Sequence, residues 1–226
     1  MPDAPRRRAP RGGGAALRGE VLQAAMDLLA ESGDVNAVSL RAVAQRVGVS
    51  VPAIYLHFAD KQALLDAVCD AVFTALHTRL LAVSEQSQDC FEVLRLQGIA
   101  YVEFALENPE HYRIIMMQRP EPTAGEDAAA FVAGGAFIHL VASVQRCIDE
   151  GVFTGDPVPL AMQLWAATHG VAALLISKPD FPWPDGFIAD TVVMAGLGLM
   201  LKARLADEDM TAASPTLLKH VNRVRR

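Results

Sequence analysis

The stretch from residue 39 to residue 65 constrains the fold of this chain more than any other. Ser39 can cap a short helix whose apolar residues share one face, and Gly48 follows that helix as a residue able to take a positive φ. Ser50 can cap a second short helix, where Pro52 falls in the first turn and its missing N–H costs little. Two short helices across a tight turn predict a helix-turn-helix unit.

A third helix follows this unit and begins at Lys61. The run VGVSVPAIYLHFADKQALL closely resembles the TetR family of bacterial one-component repressors. The residues YLHF at 55–58, followed three residues later by Lys61, carry most of the resemblance, which covers roughly residues 15 to 68. Leu56 stands where many members carry a second aromatic residue. The resemblance implies an all-helical protein with a DNA-binding head and a body that binds a ligand and dimerises.

The composition also favours helices. Apolar residues make up 52% of the chain and aromatic residues only 6%, so the core is aliphatic and rich in alanine. We predict an all-α fold of about nine to ten helices. The predicted segments are a disordered basic arm (1–14), a helix-turn-helix domain (15–61), an effector-binding and dimerisation domain (62–206), and a tail or short final helix (207–226). Outside the helix-turn-helix pair, the predicted helices cover about 15–31, 61–84, 90–107, 109–117, 126–150, 157–177 and 185–206.

The distribution of charge points to the amino-terminal end as the DNA-binding part. The net charge of the whole chain is −6. Residues 1–61 carry eight Lys and Arg against six Asp and Glu, a balance of +2, whereas the remainder carries twelve against twenty, a balance of −8. We therefore expect the acidic body to stay away from the phosphates. The arginines of the arm fit either a phosphate-tracking segment or a solvated tail.

Candidate DNA-binding residues follow from the resemblance and from the chemistry of base edges. Tyr55, His57 and Lys61 match family positions that bond phosphates, which position a protein without reading sequence. Specificity is then expected from the start of the second short helix, where Val51 and Ala53 suit thymine methyl groups. The predicted DNA-binding residues are Ser39, Arg41, Ser50, Val51, Pro52, Ala53, Tyr55, His57 and Lys61.

The predicted helix over 157–177 is apolar on all sides and carries no Asp, Glu, Lys or Arg between residues 160 and 177. Gln163, Thr168 and His169 interrupt it, which argues against a membrane span. Such a helix must be covered, so we expect it and the last long helix to pair with their copies as a four-helix bundle in a homodimer. The resemblance implies the same arrangement, and the AGLG run at 195–198 allows close helix approach. The predicted interface residues are Leu164, Val171, Leu175, Val193, Leu197 and Met200.

A small-molecule effector site is expected in the body. Trp165, His169 and Gly170 form a W-x-x-x-H-G pattern that resembles the WHG class of TetR carboxy-terminal domains. The spacing puts the indole and the imidazole on one helix face, where they line a cavity or serve as ordinary core residues. The predicted effector-binding residues are Phe73, His77, Tyr101, Phe104, Tyr112, Met116, Phe131, Trp165 and His169.

Other function classes find little support in the sequence. It contains no G-x-S-x-G, no H-E-x-x-H and no phosphate loop, and its histidines and cysteines lack metal-ligand spacing, so we predict no enzyme, no catalytic residue, no metal and no cofactor. No segment has the order of a secretory signal, which predicts a cytoplasmic protein. The expected partners are operator DNA, an unidentified small molecule and a second copy. A regulator or activator controlled by a partner protein, without a ligand, remains the alternative, and an enzyme is a remote one.

Overall fold

The computed structural model describes residues 13–113, 116 and 135–207. Every regular element within these ranges is helical, which confirms the all-α prediction. The first helix begins at Gly13, so the last two residues of the predicted disordered arm (1–14) are helical and that boundary is corrected. The rest of the arm, Phe131 and the tail after residue 207 lie outside the described residues. The nine α-helices of the described part are α1 (Gly13–Ser32), α2 (Leu40–Val47), α3 (Val51–Tyr55), α4 (Lys61–Ser84), α5 (Cys90–Glu107), α6 (Pro109–Tyr112), α7 (Gly135–Asp149), α8 (Pro157–Ser177) and α9 (Phe187–Asp207).

The chain forms two compact units. The head unit comprises Met1–Leu76 and Glu107–Gly125, and it contains α1 to α3, the first part of α4, and α6. The body unit comprises His77–Leu106 and Glu126–Arg226, and it contains the last turns of α4, most of α5, and α7 to α9. The division therefore passes through α4 after Leu76, whereas the predicted domain boundary lies after residue 61.

The helix boundaries of the head unit have local causes. Ser39 Oγ accepts a hydrogen bond from the Ala42 N–H at 3.1 Å, which caps α2. Gly48 ends that helix with φ 75° and ψ 37°, the left-handed conformation that glycine adopts without strain. Ser50 stands at the cap position of α3 but its side chain makes no capping hydrogen bond, unlike the prediction. Asp60 Oδ1 accepts from the Ala63 N–H at 2.8 Å at the start of α4.

The core of the head unit is aliphatic. Side chains from α1 to α4 meet around Ile54 and Phe58, which are both buried and stand one helical turn apart in the sequence. The other buried apolar residues of these helices and their connections are Val21, Ala24, Ala25, Leu29, Val38, Val43, Ala44, Leu64, Val68, Val72 and Leu76. The helix pair α2–α3 is thereby held by its inner face, and its outer face is left for other contacts.

The body unit has its own apolar core. Its buried cluster comprises Cys90, Leu94, Phe137, Val144, Cys147, Phe153, Leu160, Ala161 and Leu199. Cys90 and Cys147 are free thiols within this cluster, and the half-buried Cys69 of the head unit is a free thiol as well. Helices α7, α8 and α9 pack in chain order, which the short connections between them favour.

Two glycines allow α5 to lie close to its neighbours in the body unit. A Cβ atom added at Gly98 would lie 2.6 Å from Cγ1 of Val192, and one added at Gly196 would lie 2.8 Å from Cε2 of Phe91. Both distances are shorter than real Cβ contacts. The AGLG run therefore serves close packing inside one protomer at Gly196, whereas the sequence analysis assigned this role to the contact between protomers.

Two helices, α4 and α8, are long and apolar enough to cross a membrane by length and composition alone. Core helices of compact domains meet the same criterion, and part of each helix is buried inside the protein. The Thr168 hydroxyl in α8 donates to the carbonyl oxygens of Leu164 and Trp165, so this polar group is paired within its own helix. Length and composition therefore place neither helix in a membrane.

Candidate nucleic-acid interface and interior binding site

The nine predicted DNA-binding residues all lie on α2, α3 or the ends of these helices and of α4, and none of them is buried. Arg41, Ser50, Pro52 and Tyr55 are exposed, and the other five are half-buried. Leu56, which the sequence analysis left out of the set, is the most exposed large apolar side chain in the described part of the chain, at 82%. The helix-turn-helix thus presents the residues from 50 to 57 to its surroundings, except for the buried Ile54.

Lys61 makes a contact that the sequence did not predict. Its Nζ atom donates a hydrogen bond to the carbonyl oxygen of Val35 at 2.7 Å. Val35 begins the short 3-10 turn Val35–Ala37, which leads into α2. An ammonium group carries three donors, so this bond uses one of them. Lys61 therefore connects the start of α4 with the segment before α2. Its two remaining N–H donors are available to bind a phosphate.

Two other basic residues of the head unit are paired internally. The Arg46 guanidinium donates to both carboxylate oxygens of Glu31, at 2.7 and 2.5 Å, which lowers the pKa of Glu31 and raises the pKa of Arg46 through this hydrogen bonding. The Arg18 guanidinium lies 5.0 Å from the ring centre of Phe58, within cation–π range. Helix α2 carries two arginines. Arg46 is paired with Glu31, and Arg41 is the one that we predict to contact DNA.

Three predicted effector residues come together in the body unit. The Trp165 Nε1–H donates to the Tyr101 hydroxyl oxygen at 3.3 Å, and the same hydroxyl lies 3.4 Å from Nδ1 of His169. The Trp165 and His169 rings are 5.8 Å apart, and the Phe137 ring meets Trp165 edge-on at 6.1 Å. The spacing of four residues placed the indole and the imidazole together, as predicted. Tyr101 on α5 supplies the atom that joins them.

This interior site is apolar with neutral polar groups. Burial lowers the pKa of His169, so its imidazole is uncharged at neutral pH. Tyr101 is buried, and Trp165 and His169 are half-buried. Aromatic walls with a few hydrogen-bonding atoms are typical of sites for small organic molecules.

The remaining predicted effector residues are divided between the two units. His77 and Phe104 belong to the body unit, where the ring of His77 lies 5.8 Å from that of His139 and beside the backbone of Gly135. This close approach at Gly135 accounts for one of the two glycines in the predicted helix over 126–150. Phe73, Tyr112 and Met116 belong to the head unit. Tyr112 is buried there, whereas Phe73 and Met116 are half-buried.

A second polar cluster in the body unit escaped the sequence analysis. Gln97 on α5 is 3% exposed, and its amide nitrogen lies 2.8 Å from the hydroxyl oxygens of Ser84 and Ser143 and 3.1 Å from Nε2 of His139. One available signal was the position of Gln97, a polar residue four places before Tyr101 and hence on the same face of a largely apolar helix. The partners from α4 and α7 carry no comparable signal.

The predicted dimer residues differ in exposure. Val171 is 3% exposed within a single protomer, so its side chain belongs to the interior of the body unit and its assignment to an interface is corrected. Leu164, Leu175, Val193 and Met200 are half-buried, and Leu197 is 42% exposed. Up to residue 200, the large apolar side chains that α8 and α9 expose are Met162, Leu174, Met194 and Leu197.

A helix-turn-helix with an exposed segment at α3, joined in one chain to a helical body, defines a DNA-binding regulator. Comparison with known families specifies it further. The family described as "Bacterial regulatory proteins, tetR family" matches residues 21–68, and the "Tetracyclin repressor-like, C-terminal domain" family matches residues 94–214. The chain belongs to the TetR family of transcriptional regulators, as its resemblance indicated.

Individual relatives are distant. The nucleoid occlusion factor SlmA of Edwardsiella ictaluri is 28% identical over 163 residues, which cover 70% of this chain and 82% of the relative. The class G tetracycline repressor protein of Vibrio anguillarum is 35% identical over 109 residues, which cover 48% of this chain and 50% of the relative. A solved structure of a protein of unknown function from Rhodococcus sp. RHA1 is 26% identical, with a TM-score of 0.70, covering 89% of this chain and 99% of that one.

Proposed function

We propose that this protein is a ligand-responsive transcriptional repressor that binds a palindromic operator as a homodimer and is released by a small apolar or amphipathic effector. The observation that carries the proposal is the joining of Tyr101, Trp165 and His169 into one interior site within a chain that also bears a helix-turn-helix. The class G tetracycline repressor among its relatives is named for a small molecule, which supports the same combination.

DNA binding is assigned to the exposed surface of α2 and α3. Tyr55, His57 and Lys61 bond phosphates and set the register on the duplex, as their match to the family implies. Val51 and Ala53 meet thymine methyl groups in the major groove. Each protomer contributes one recognition helix, so the two half-sites lie about 34–36 Å apart, or a multiple of this distance.

Dimerisation is assigned to the outer surface of α8 and α9. Met162 and Leu174 on α8 and Met194 and Leu197 on α9 are exposed in the protomer, although large apolar side chains gain free energy when water is removed from them. Two copies that pair these helices would cover all eight side chains in a four-helix bundle. The half-buried Leu164, Leu175, Val193 and Met200 would stand at the edge of this contact.

The effector acts by preferring one conformation of the dimer. Operator binding requires the two recognition helices to have the spacing of the DNA, and a ligand shifts the equilibrium only through a difference in affinity between states. A hundredfold preference per dimer corresponds to about 2.7 kcal/mol and a hundredfold loss of operator affinity. Helix α4 is the element that changes its tilt in this proposal, because it belongs to both units.

The proposal is tested by titrating the protein against its operator and an effector together. Genome-wide mapping of binding sites supplies the operator, and a thermal-shift screen of apolar and amphipathic compounds supplies the effector. We expect a compound that raises the midpoint of unfolding to weaken operator binding, and operator DNA to weaken binding of that compound by the same factor. Equal affinity for the compound with and without saturating operator would contradict the proposal.

A regulator without a small-molecule ligand is the second candidate. It is favoured by the similarity to SlmA, a relative named for nucleoid occlusion, which this chain matches over 82% of the relative's length. In that case the interior site is filled by the protein's own packing, and no compound in the screen changes operator affinity. Activation in place of repression depends on the position of the operator relative to the promoter, which the genomic map also determines. Under either candidate the protein acts on chromosomal DNA in the cytoplasm, without catalysis.

A further inference from the structure

Four polar side chains meet inside the body unit, one helical turn along α5 from the Tyr101 site. Gln97 lies at the centre, with Ser84 at the end of α4 on one side and His139 and Ser143 of α7 on the other. Gln97 and Ser143 are buried, and Ser84 and His139 are half-buried. The cluster is therefore an interior hydrogen-bonding site, in which each donor and acceptor needs a partner.

The two hydroxyl protons of the cluster are already used. Ser84 Oγ donates to the carbonyl oxygen of Leu80 at 2.6 Å, and Ser143 Oγ donates to that of His139 at 3.1 Å. Their oxygen atoms consequently act as acceptors, and they receive the two N–H groups of the Gln97 amide. In the opposite orientation the amide oxygen could accept from Nε2 of His139 without moving either hydroxyl proton, but both amide N–H donors would lack an acceptor among the described residues. The orientation that leaves one acceptor unpaired therefore satisfies the cluster better than the one that leaves two donors unpaired.

One acceptor of the cluster, the side-chain oxygen of Gln97, is left without a hydrogen bond. The Gln97 Oε1 atom is fully buried and has no hydrogen-bond partner within residues 13–113, 116 and 135–207. Buried carbonyl oxygens are nearly always paired, either with protein, with ordered water or with a ligand. No hydroxyl proton of the cluster can turn towards this oxygen without giving up an existing bond. A partner for Oε1 must bring its own proton.

We propose that Gln97 Oε1 is the acceptor that recognises a hydroxyl or N–H group of the effector. This inference rests on the proposed function, since it assigns a chemical class to the ligand of the same body unit. Gln97 and Tyr101 stand four residues apart on α5 and share one face. The apolar part of the ligand lies against the aromatic side chains near Tyr101, and its donor group reaches Gln97.

The charge of the site restricts the ligand further. Burial, and secondarily the nearby His77, lower the pKa of His139, so the imidazole next to Gln97 is neutral at pH 7. An ionised carboxylate or phosphate would bring a further acceptor to the bare carbonyl oxygen of Gln97 and leave that oxygen unpaired. The expected effector is therefore an uncharged amphipathic molecule that carries a hydroxyl or amide N–H donor.

Three probes of equal ring size test this inference on the full-length protein. 1-Naphthol carries a hydroxyl donor, 1-methoxynaphthalene has the same ring without a donor, and 1-naphthoate is an anion. We expect calorimetric titration to show 1-naphthol binding at least about tenfold more tightly than 1-methoxynaphthalene, because a buried acceptor is paired by one and left bare by the other. We expect 1-naphthoate to bind more weakly than either.

Two variants separate recognition from packing. Gln97→Met keeps the length of the side chain and removes the acceptor, so the preference for 1-naphthol should fall to about one while 1-methoxynaphthalene still binds. Ser143→Ala removes a partner of the Gln97 amide nitrogen and leaves Oε1 in place, so the preference should persist. If both variants lower the affinity for both probes equally, the cluster is only structural and the inference is wrong.

The outcomes also distinguish this inference from the proposed function. Equal binding of 1-naphthol and 1-methoxynaphthalene to the wild-type protein, with release of operator by both, would overturn the donor class and leave the sensor intact. An unchanged preference in Gln97→Met would show that another group accepts the hydroxyl of 1-naphthol and would overturn the inference as well. Binding of none of the three probes would overturn the inference, whereas the sensor itself is tested by the thermal-shift screen and the operator titration.

Discussion

The ammonium group of Lys61 donates a hydrogen bond to the carbonyl oxygen of Val35 at 2.7 Å. This bond connects the first residue of α4 with the 3-10 turn that leads into α2. We propose a phosphate contact for Lys61, and the hydrogen bond to Val35 gives this side chain a second role within the protein. A side chain that is already held at its tip loses less freedom when it meets DNA.

We predict that Lys61→Ala has two separable effects. Operator affinity should fall equally for all DNA sequences, and the salt dependence of binding should flatten by roughly one charge, because a phosphate contact carries no sequence information. The free energy of unfolding should also fall by about 1 kcal/mol, because the Val35 carbonyl loses its charged donor. Fluorescence anisotropy at several salt concentrations and urea denaturation measure the two effects. A changed preference among operator sequences would contradict the phosphate role.

Leu197 on α9 allows a direct test of the dimer. It is 42% exposed in the protomer, and Leu197→Asp should dissociate the dimer because it places a charge without a partner in an apolar interface, at a cost of several kcal/mol. Ile138→Asp is a matched control, since Ile138 on α7 is 51% exposed and lies outside the proposed contact. Analytical ultracentrifugation should show monomers for the first variant and dimers for the second. Monomers in the control alone would move the interface to α7.

Three histidines predict a loss of stability in mild acid. Burial lowers the pKa values of His111, His139 and His169 below the ordinary value of 6.5. The folded chain then binds fewer protons than the unfolded chain, so the free energy of unfolding decreases as the pH falls below about 6.5 and levels off once the folded-state pKa values are passed. Denaturant titrations between pH 7.5 and 5 measure this slope. His111→Gln should reduce it, and a slope that the variant leaves unchanged would contradict the assignment for His111.

The contact between Gly196 and Phe91 predicts the sign of a small substitution. Gly196→Ala brings a methyl group to within 2.8 Å of the Phe91 ring, so we expect a loss of about 1–3 kcal/mol from overpacking. Gly19→Ala is the control, because a Cβ atom at this exposed position of α1 meets nothing within 4 Å. There alanine should gain roughly 0.5–1 kcal/mol from helix propensity. The midpoints of thermal unfolding of the two variants measure these effects. A higher midpoint for both variants would show that the Phe91 ring moves aside at little cost.

The features that the sequence predicted correctly are local ones. Ser39 and Gly48 act within four residues of their own position, and caps and left-handed glycines have strong residue preferences. Ser50 is also a preferred cap residue, but its side chain makes no capping hydrogen bond. Residue preference alone therefore does not determine whether a cap forms.

The features that the sequence missed join distant segments. The acceptor of Lys61 is a backbone carbonyl, which every residue possesses, so nothing in the sequence marks Val35. The Gln97 cluster brings together α4, α5 and α7, whose relative placement local patterns do not fix. Val171 was assigned to an interface because α8 is apolar on every side, and periodicity alone could not tell the inner side from the outer one.

The contact at Gly196 also makes the effects of substitutions at two positions depend on one another. A larger residue at 196 is costly while Phe91 keeps its ring, but the same change becomes tolerable once position 91 has become smaller. A smaller residue at 91 alone leaves a void beside Phe153, whose ring lies 6.4 Å from that of Phe91, and bulk at 196 can fill part of that void. Positions 91 and 196 therefore form an epistatic pair, in which each change is better tolerated when the other is already present.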